Sequence, residues 1–119
     1  MPLPQALVVT CFDFRLQALL DPWLLENLGH GNYNRVALAG AVKNWDIIFS
    51  QIELSKRFHH INRLLLINHE DCRAYGAESH YERHCHDLRQ SRQRTLEHFP
   101  DLSVELYHLW LDGRFERIE

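Results

Sequence analysis

Ala6-Leu7-Val8-Val9-Thr10-Cys11-Phe12-Asp13-Phe14-Arg15 and Leu64-Leu65-Leu66-Ile67-Asn68-His69-Glu70-Asp71-Cys72 are the two stretches on which the fold turns. In each, a short apolar run leads directly into chemically active side chains. The runs Ala6 to Thr10 and Leu64 to Ile67 read as buried strands. In an open α/β sheet, the loops at the carboxyl ends of neighbouring parallel strands converge on a ligand crevice. Two thiols, one imidazole and a carboxylate would meet there. That donor set suits zinc, which prefers sulfur and nitrogen in a tetrahedron and also accepts a carboxylate oxygen.

Working outward, strands and helices alternate. Leu16 to Asn27 is rich in leucine and predicts a helix, kinked or restarted at Pro22 and stopped near Gly29. His30 to Asn34 is a polar turn, and Arg35 to Ala39 is a second strand ending at Gly40. Asn44 or Asp46 then caps a helix running to about Phe58, with Ile47, Leu54 and Phe58 as its inward stripe and Ile48 and Ile52 beside it. Four consecutive large aliphatics make Leu64 to Ile67 the central strand. Ala77 to about His98 predicts a long helix with Tyr81, Cys85, Leu88, Leu96 and Phe99 inward, ended by Pro100. Val104 to Trp110, with Glu105 and His108 alternating, predicts a fourth strand. A turn at Leu111 to Arg114 leads into a short last one.

The chain has 119 residues, 45% of them hydrophobic, and a formal charge of -3, which fits a single domain over residues 1–119. Its lysines and arginines are dispersed, so neither nucleic acid nor an anionic membrane is an expected partner. The opening Met1-Pro2-Leu3-Pro4 carries no basic segment followed by a long apolar one, which predicts a cytoplasmic protein. Three cysteines is an odd number, better explained by metal or thiol chemistry than by disulfides. No G-x-G-x-x-G, phosphate-binding loop or serine-nucleophile motif occurs.

Taken singly, each motif has an ordinary explanation. Cys11 suits a buried position, Asp13 with Arg15 a surface ion pair, and the H-x-x-C spacing of His69 and Cys72 chance. Their placement at the ends of two parallel strands is what favours a metal site. His80 and His84, four apart with His86 nearby, read instead as a solvated helical face. His59 and His60 sit near a helix end, where imidazolium suits the dipole, and Cys85 reads as core.

The order C-x-D-x-R, a strand ending in Ala-Gly, a helix, and a strand ending in H-x-x-C resembles the beta class of carbonic anhydrases. It spans nearly the whole chain. Cys11-Phe12-Asp13-Phe14-Arg15 stands at the first motif, Leu38-Ala39-Gly40-Ala41 at the Ala-Gly-Asn segment, and His69-Glu70-Asp71-Cys72 at the second. Val104 to Ile118, with Asp112-Gly113 at its turn, is similar to the end of the family's core. The resemblance implies a three-layer α/β fold with a central, mostly parallel sheet of four to five strands flanked by helices. It also implies zinc held by Cys11, His69 and Cys72, and a catalytic dyad of Asp13 and Arg15. Asp13 is a further metal ligand where it closes the fourth position, and Gly40, Ala41 and Arg73 fall on the substrate side.

The activity so implied is reversible hydration of carbon dioxide to bicarbonate, a lyase reaction. Zinc acidifies a water, and the aspartate, oriented by the arginine, holds it for attack. Two thiolate ligands cancel the formal charge of the ion, so activity should favour alkaline pH. The sequence departs from the family pattern at Phe14, a small polar residue elsewhere, at Ala41, commonly asparagine, and at Arg73, normally glycine. The resemblance is expected to stop short of the amino-terminal helices with which relatives embrace a dimer partner, which predicts a divergent, minimal member. A homodimer or higher homo-oligomer, built differently, is expected. Two alternatives keep the fold. One is hydrolysis of carbonyl sulfide or carbon disulfide behind an apolar entrance at Phe12 and Phe14. The other is a non-catalytic zinc or anion-binding protein favoured by Arg73.

Overall fold

The computed structural model describes residues 5–119, so Met1 to Pro4, on which the expectation about an export leader fell, lie outside the described residues. Five strands form one sheet: β1 (Ala6–Thr10), β2 (Tyr33–Ala37), β3 (Arg63–His69), β4 (Ser103–Leu109) and β5 (Phe115–Ile118). Their spatial order is β2-β1-β3-β4-β5. The first four are parallel and β5 runs antiparallel to β4. This is the expected mostly parallel α/β sheet with β3 at its centre. Leu64 to Ile67 are all buried, as a central strand covered on both faces requires.

Three helices cover the sheet: α1 (Phe14–Leu28), α2 (Trp45–His59) and α3 (Tyr81–His98). Helix α1 packs Leu16, Leu20 and Leu24 onto Ala6, Val8, Leu65 and Ile67 on one face. Ile48 and Ile52 of α2 and Cys85 and Leu88 of α3 cover Leu7, Val9, Leu64 and Leu66 on the other. The alternation of side chains along β1 and β3 thus feeds two separate cores.

Several boundaries differ from the sequence expectation. Helix α1 begins at Phe14 because Asp13 caps it, its carboxylate accepting from the Arg15 N–H at 2.9 Å. It runs through Pro22 without a break. Pro22 and Ala18, whose carbonyl loses its partner to the proline, both lie on the exposed side, where water can satisfy that carbonyl. Strand β2 lies two residues earlier than expected and is only half-buried, as an edge strand is. In α2 the inward stripe is Ile48, Ile52 and Ser55, while Ile47 and Phe58 are 56% and 63% exposed. Ser55 tolerates burial because its hydroxyl oxygen accepts from Asn34 Nδ2 at 3.1 Å.

The start of α3 also moves. A short 3-10 stretch, Arg73–Glu78, follows the second motif, and His80 then caps α3 by accepting from the Arg83 N–H. The buried residues of α3 are His84, Cys85, Leu88, Ser91 and Thr95, whereas Tyr81 is exposed and Leu96 and Phe99 are half-buried. Glu105 and His108, two polar residues of β4, are also buried. Arg63 and the Tyr107 hydroxyl both donate to Glu105, which makes its burial tolerable. No helix among the described residues is long and apolar enough to cross a membrane.

Candidate metal centre

Strands β1 and β3 are direct neighbours with Val9 opposite Leu66, so Cys11 and the His69 loop leave the same edge of the sheet side by side. There the sulfurs of Cys11 and Cys72 and a ring nitrogen of His69 lie within 4.8 Å of one another, all on buried residues. Ligand atoms of one tetrahedral zinc stand about 3.8 Å apart, so a small inward shift of the side chains closes the set on an ion. All three cysteines are free, and Cys85 is in the core on the other face of the sheet.

The chemistry of these donors fits a metal. His69 Nδ1 lies 2.7 Å from the carbonyl of Glu70, which can only accept, so the ring proton sits on Nδ1 and Nε2 carries a lone pair. That Nε2 is buried without a hydrogen-bond partner among the described residues. A buried acceptor left unpaired costs free energy, and a cation is the partner this one suits. The two thiols are coupled. The Cys72 thiol beside Cys11 pulls the Cys11 pKa well below its ordinary value, helped by the Gly40 N–H, and the Cys72 pKa rises in return. A divalent cation would remove that mutual repulsion and let both ionise.

Backbone geometry holds the set in place. Gly40 adopts a left-handed conformation (φ 80°) and points its N–H at Cys11 Sγ, 3.4 Å away. A Cβ there would come within 3.1 Å of the Ala74 Cβ. Glycine is required both by the backbone and by the close approach of the 73–78 stretch. Glu70 ties the second loop to the sheet, its N–H donating to the Leu109 carbonyl and its carboxylate accepting from the Leu111 N–H.

Asp13 and Arg15 meet by helix capping, not by continuation of the strand. The Arg15 guanidinium folds back onto the capping carboxylate, Nη2 to Oδ2 at 2.7 Å and Nε to Oδ1 at 3.1 Å. The arginine's side-chain hydrogen bonds hold the Asp13 pKa down at about 2. Arg15 also reaches the second loop, donating from Nη1 to the Asp71 carboxylate at 3.1 Å and from Nη2 to the Asp71 carbonyl at 2.9 Å. Asp71 takes a left-handed φ of 55°, a conformation a short polar side chain tolerates better than most. One guanidinium therefore clamps the two motif loops together.

A cavity of about 760 Å³ opens beside Asp13 and Arg15 and is lined by Cys11, Phe12, Phe14, Ala39, Arg73 and Ala74. Arg73 is where a substrate-side residue was expected. Gly40 acts from behind through its N–H, while Ala41 does not line the cavity: a φ of 47° turns the chain inward there and buries it fully in the core. Ala39 and Ala74 form the wall instead. The roles of Asp71, Asn68, Ser79 and His84 were not found from sequence. Asp71 stands between two of the donors and Asn68 directly before one, so both had a signal in their position, whereas Ser79 and His84 are brought there only by the packing of α3 and the turn that leads into it.

A family model described as "Putative carbonic anhydrase" matches residues 1–119. An uncharacterized protein of Rickettsia bellii is 30% identical, over 94% of this chain and 80% of that protein. The fold is similar to that of carbonic anhydrase from Streptococcus mutans, with a TM-score of 0.74 at 17% identity over 99% of this chain and 83% of that one. It is also similar to the beta-carbonic anhydrase CcaA, with a TM-score of 0.65 at 14% identity over 100% of this chain and 81% of that one.

Proposed function

The chain belongs to the carbonic anhydrase family, as a divergent member with the beta-class fold, and from that premise we propose that it is a zinc enzyme interconverting carbon dioxide and bicarbonate. The observation that carries the proposal is the ion-paired Asp13–Arg15 in the chain segment that also supplies one of three convergent metal donors, with Cys11, Asp13 and Arg15 all lining one cavity. Cys11, His69 and Cys72 would hold the ion. Bound there, zinc supplies Lewis acidity that makes a water nucleophilic near neutral pH.

The chain's own residues do the rest. Asp13, kept ionised by Arg15, is an acceptor only, so it orients an attacking water by taking its hydrogen bond. The guanidinium engages both oxygens of Asp13, and no Asp13 oxygen joins the cluster of three donors, so an ion held by Cys11, His69 and Cys72 would keep its fourth position for water. Asp71 keeps the guanidinium in that pose by engaging its far edge. Phe12, Phe14, Ala39 and Ala74 give carbon dioxide an apolar approach, and the Arg73 cation favours the bicarbonate anion.

The same apolar lining favours a second reading on the same centre, hydrolysis of carbonyl sulfide or carbon disulfide. Assay of zinc-loaded protein on each substrate separates the two. We further propose a cytoplasmic homodimer. The variant that tests the dyad is Arg15→Ala, for which carbon dioxide hydration should fall by roughly a hundredfold with zinc retained. Unchanged hydration in that variant would remove Asp13 and Arg15 from the chemistry.

A further inference from the structure

Behind the metal donors, on the α3 side of the sheet, runs a chain of hydrogen bonds whose direction can be worked out from one end. Asp87 on α3 is held by Arg83 and, as a carboxylate, only accepts, so the Tyr75 hydroxyl spends its single proton on it at 2.8 Å. Tyr75 oxygen must then accept from Asn68 Nδ2 at 3.1 Å, which fixes the orientation of that amide. The same NH2 group donates to His84 Nδ1 at 2.9 Å, so the His84 proton sits on Nε2. His84 Nε2 in turn donates to Ser79 Oγ at 3.1 Å, and the same oxygen accepts the backbone N–H of Cys72 at 2.8 Å.

This chain brackets the metal-binding loop. Asn68 immediately precedes His69, Ser79 holds the amide of Cys72, and His84 joins them across α3. We propose that His84 is a positioning residue of the metal centre, fixing both ends of the loop that presents His69 and Cys72. The proposal rests on the reading of that cluster as a metal site. His84 is 1% exposed, and burial pushes its pKa down to about 4, so near neutral pH it stays uncharged and can accept on one nitrogen while donating from the other. The Tyr75 ring packs edge-on against it at 4.4 Å and limits its rotation. The sequence pattern had placed this residue on a solvated face. Its burial, in a protein where apolar side chains would pack α3 more cheaply, is what the positioning role explains.

The test uses the full chain and Co2+, whose thiolate charge-transfer absorption reports ligand geometry. Co2+ affinity is measured by competition with a chromophoric chelator for wild type, His84→Leu, His84→Gln, Ser79→Ala and Cys85→Ala, alongside urea stability without metal. His84→Leu and Ser79→Ala should each weaken binding by about tenfold or more and alter the charge-transfer band. His84→Gln, whose amide can still donate to Ser79, should recover much of the loss. Cys85→Ala, a core truncation at the next position of α3, should lower stability and leave affinity unchanged. Wild-type affinity in folded His84→Leu and Ser79→Ala, or an equal loss in Cys85→Ala, would overturn the proposal. Should His84→Leu fail to fold, Ser79→Ala decides alone by the same criterion. A wild type that takes up no Co2+ would remove this inference together with the metal reading, whereas normal uptake with unaffected variants removes this one only.

Discussion

His69 and His84 show how two histidines in one small domain come to opposite uses. His69 has one nitrogen bonded to a carbonyl and the other buried with no hydrogen-bond partner among the described residues, an arrangement that suits a metal ligand. His84 has both nitrogens bonded, the state of a structural link. Its burial carries a cost that pH exposes. With an ordinary value of 6.5 lowered to about 4 by desolvation, native His84 refuses a proton that the unfolded chain accepts. Stability of the metal-free protein should therefore be full above about pH 6.5, fall as pH drops toward 4, and level off below that. The loss from this residue is on the order of 3 kcal/mol. His108, also pushed down by burial, adds to it with the same sign. Asp13, held at about 2, loses its contribution only in stronger acid. Urea unfolding of metal-free protein at pH 7.5 and pH 5.0 checks this, and equal stability at the two would contradict it.

Among the elements, α2 separates what a sequence pattern can say from what only packing decides. Ile47, Leu54 and Phe58 do form a helical stripe, but Ile48 and Ile52, centred about a third of a turn away, are the ones the sheet covers. Periodicity finds stripes and does not say which of two adjacent ones faces the core. Ile52→Ala should therefore cost about 2–5 kcal/mol, while Phe58→Ser should stay within about 0.5 kcal/mol of wild type. Thermal or chemical denaturation of the pair distinguishes the two faces. The central strands were legible because runs such as Leu64 to Ile67 leave little choice. The meeting of Cys11, His69 and Cys72 in one cluster that could hold a metal ion was legible because strand ends converge. The start of α1 was misplaced because the capping role of Asp13 was hidden behind its pairing with Arg15. His84 was read as part of a solvated face because polarity was taken for exposure. It is in fact buried beside Asn68, Tyr75 and His108, partners from other parts of the chain.

At the scale of the whole molecule, two exposed aromatics stand at the mouth of the cavity, Phe14 at 86% and Phe12 at 65% exposure. Neighbouring apolar side chains left open at a site rim are a suitable seat for a second copy of the chain. Light scattering at micromolar concentration should give the mass of a dimer, and Phe14→Glu should shift it toward the monomer. A monomeric wild type would contradict the proposed assembly without touching the metal centre. The central claim is that zinc at Cys11, His69 and Cys72 makes this chain hydrate carbon dioxide. Stopped-flow hydration on metal-free protein titrated with zinc tests it most directly. The predicted result is a rate that rises linearly to one equivalent per chain, favours alkaline pH and is absent in Cys72→Ser. Protein that binds one zinc per chain and hydrates carbon dioxide no faster than buffer would contradict it.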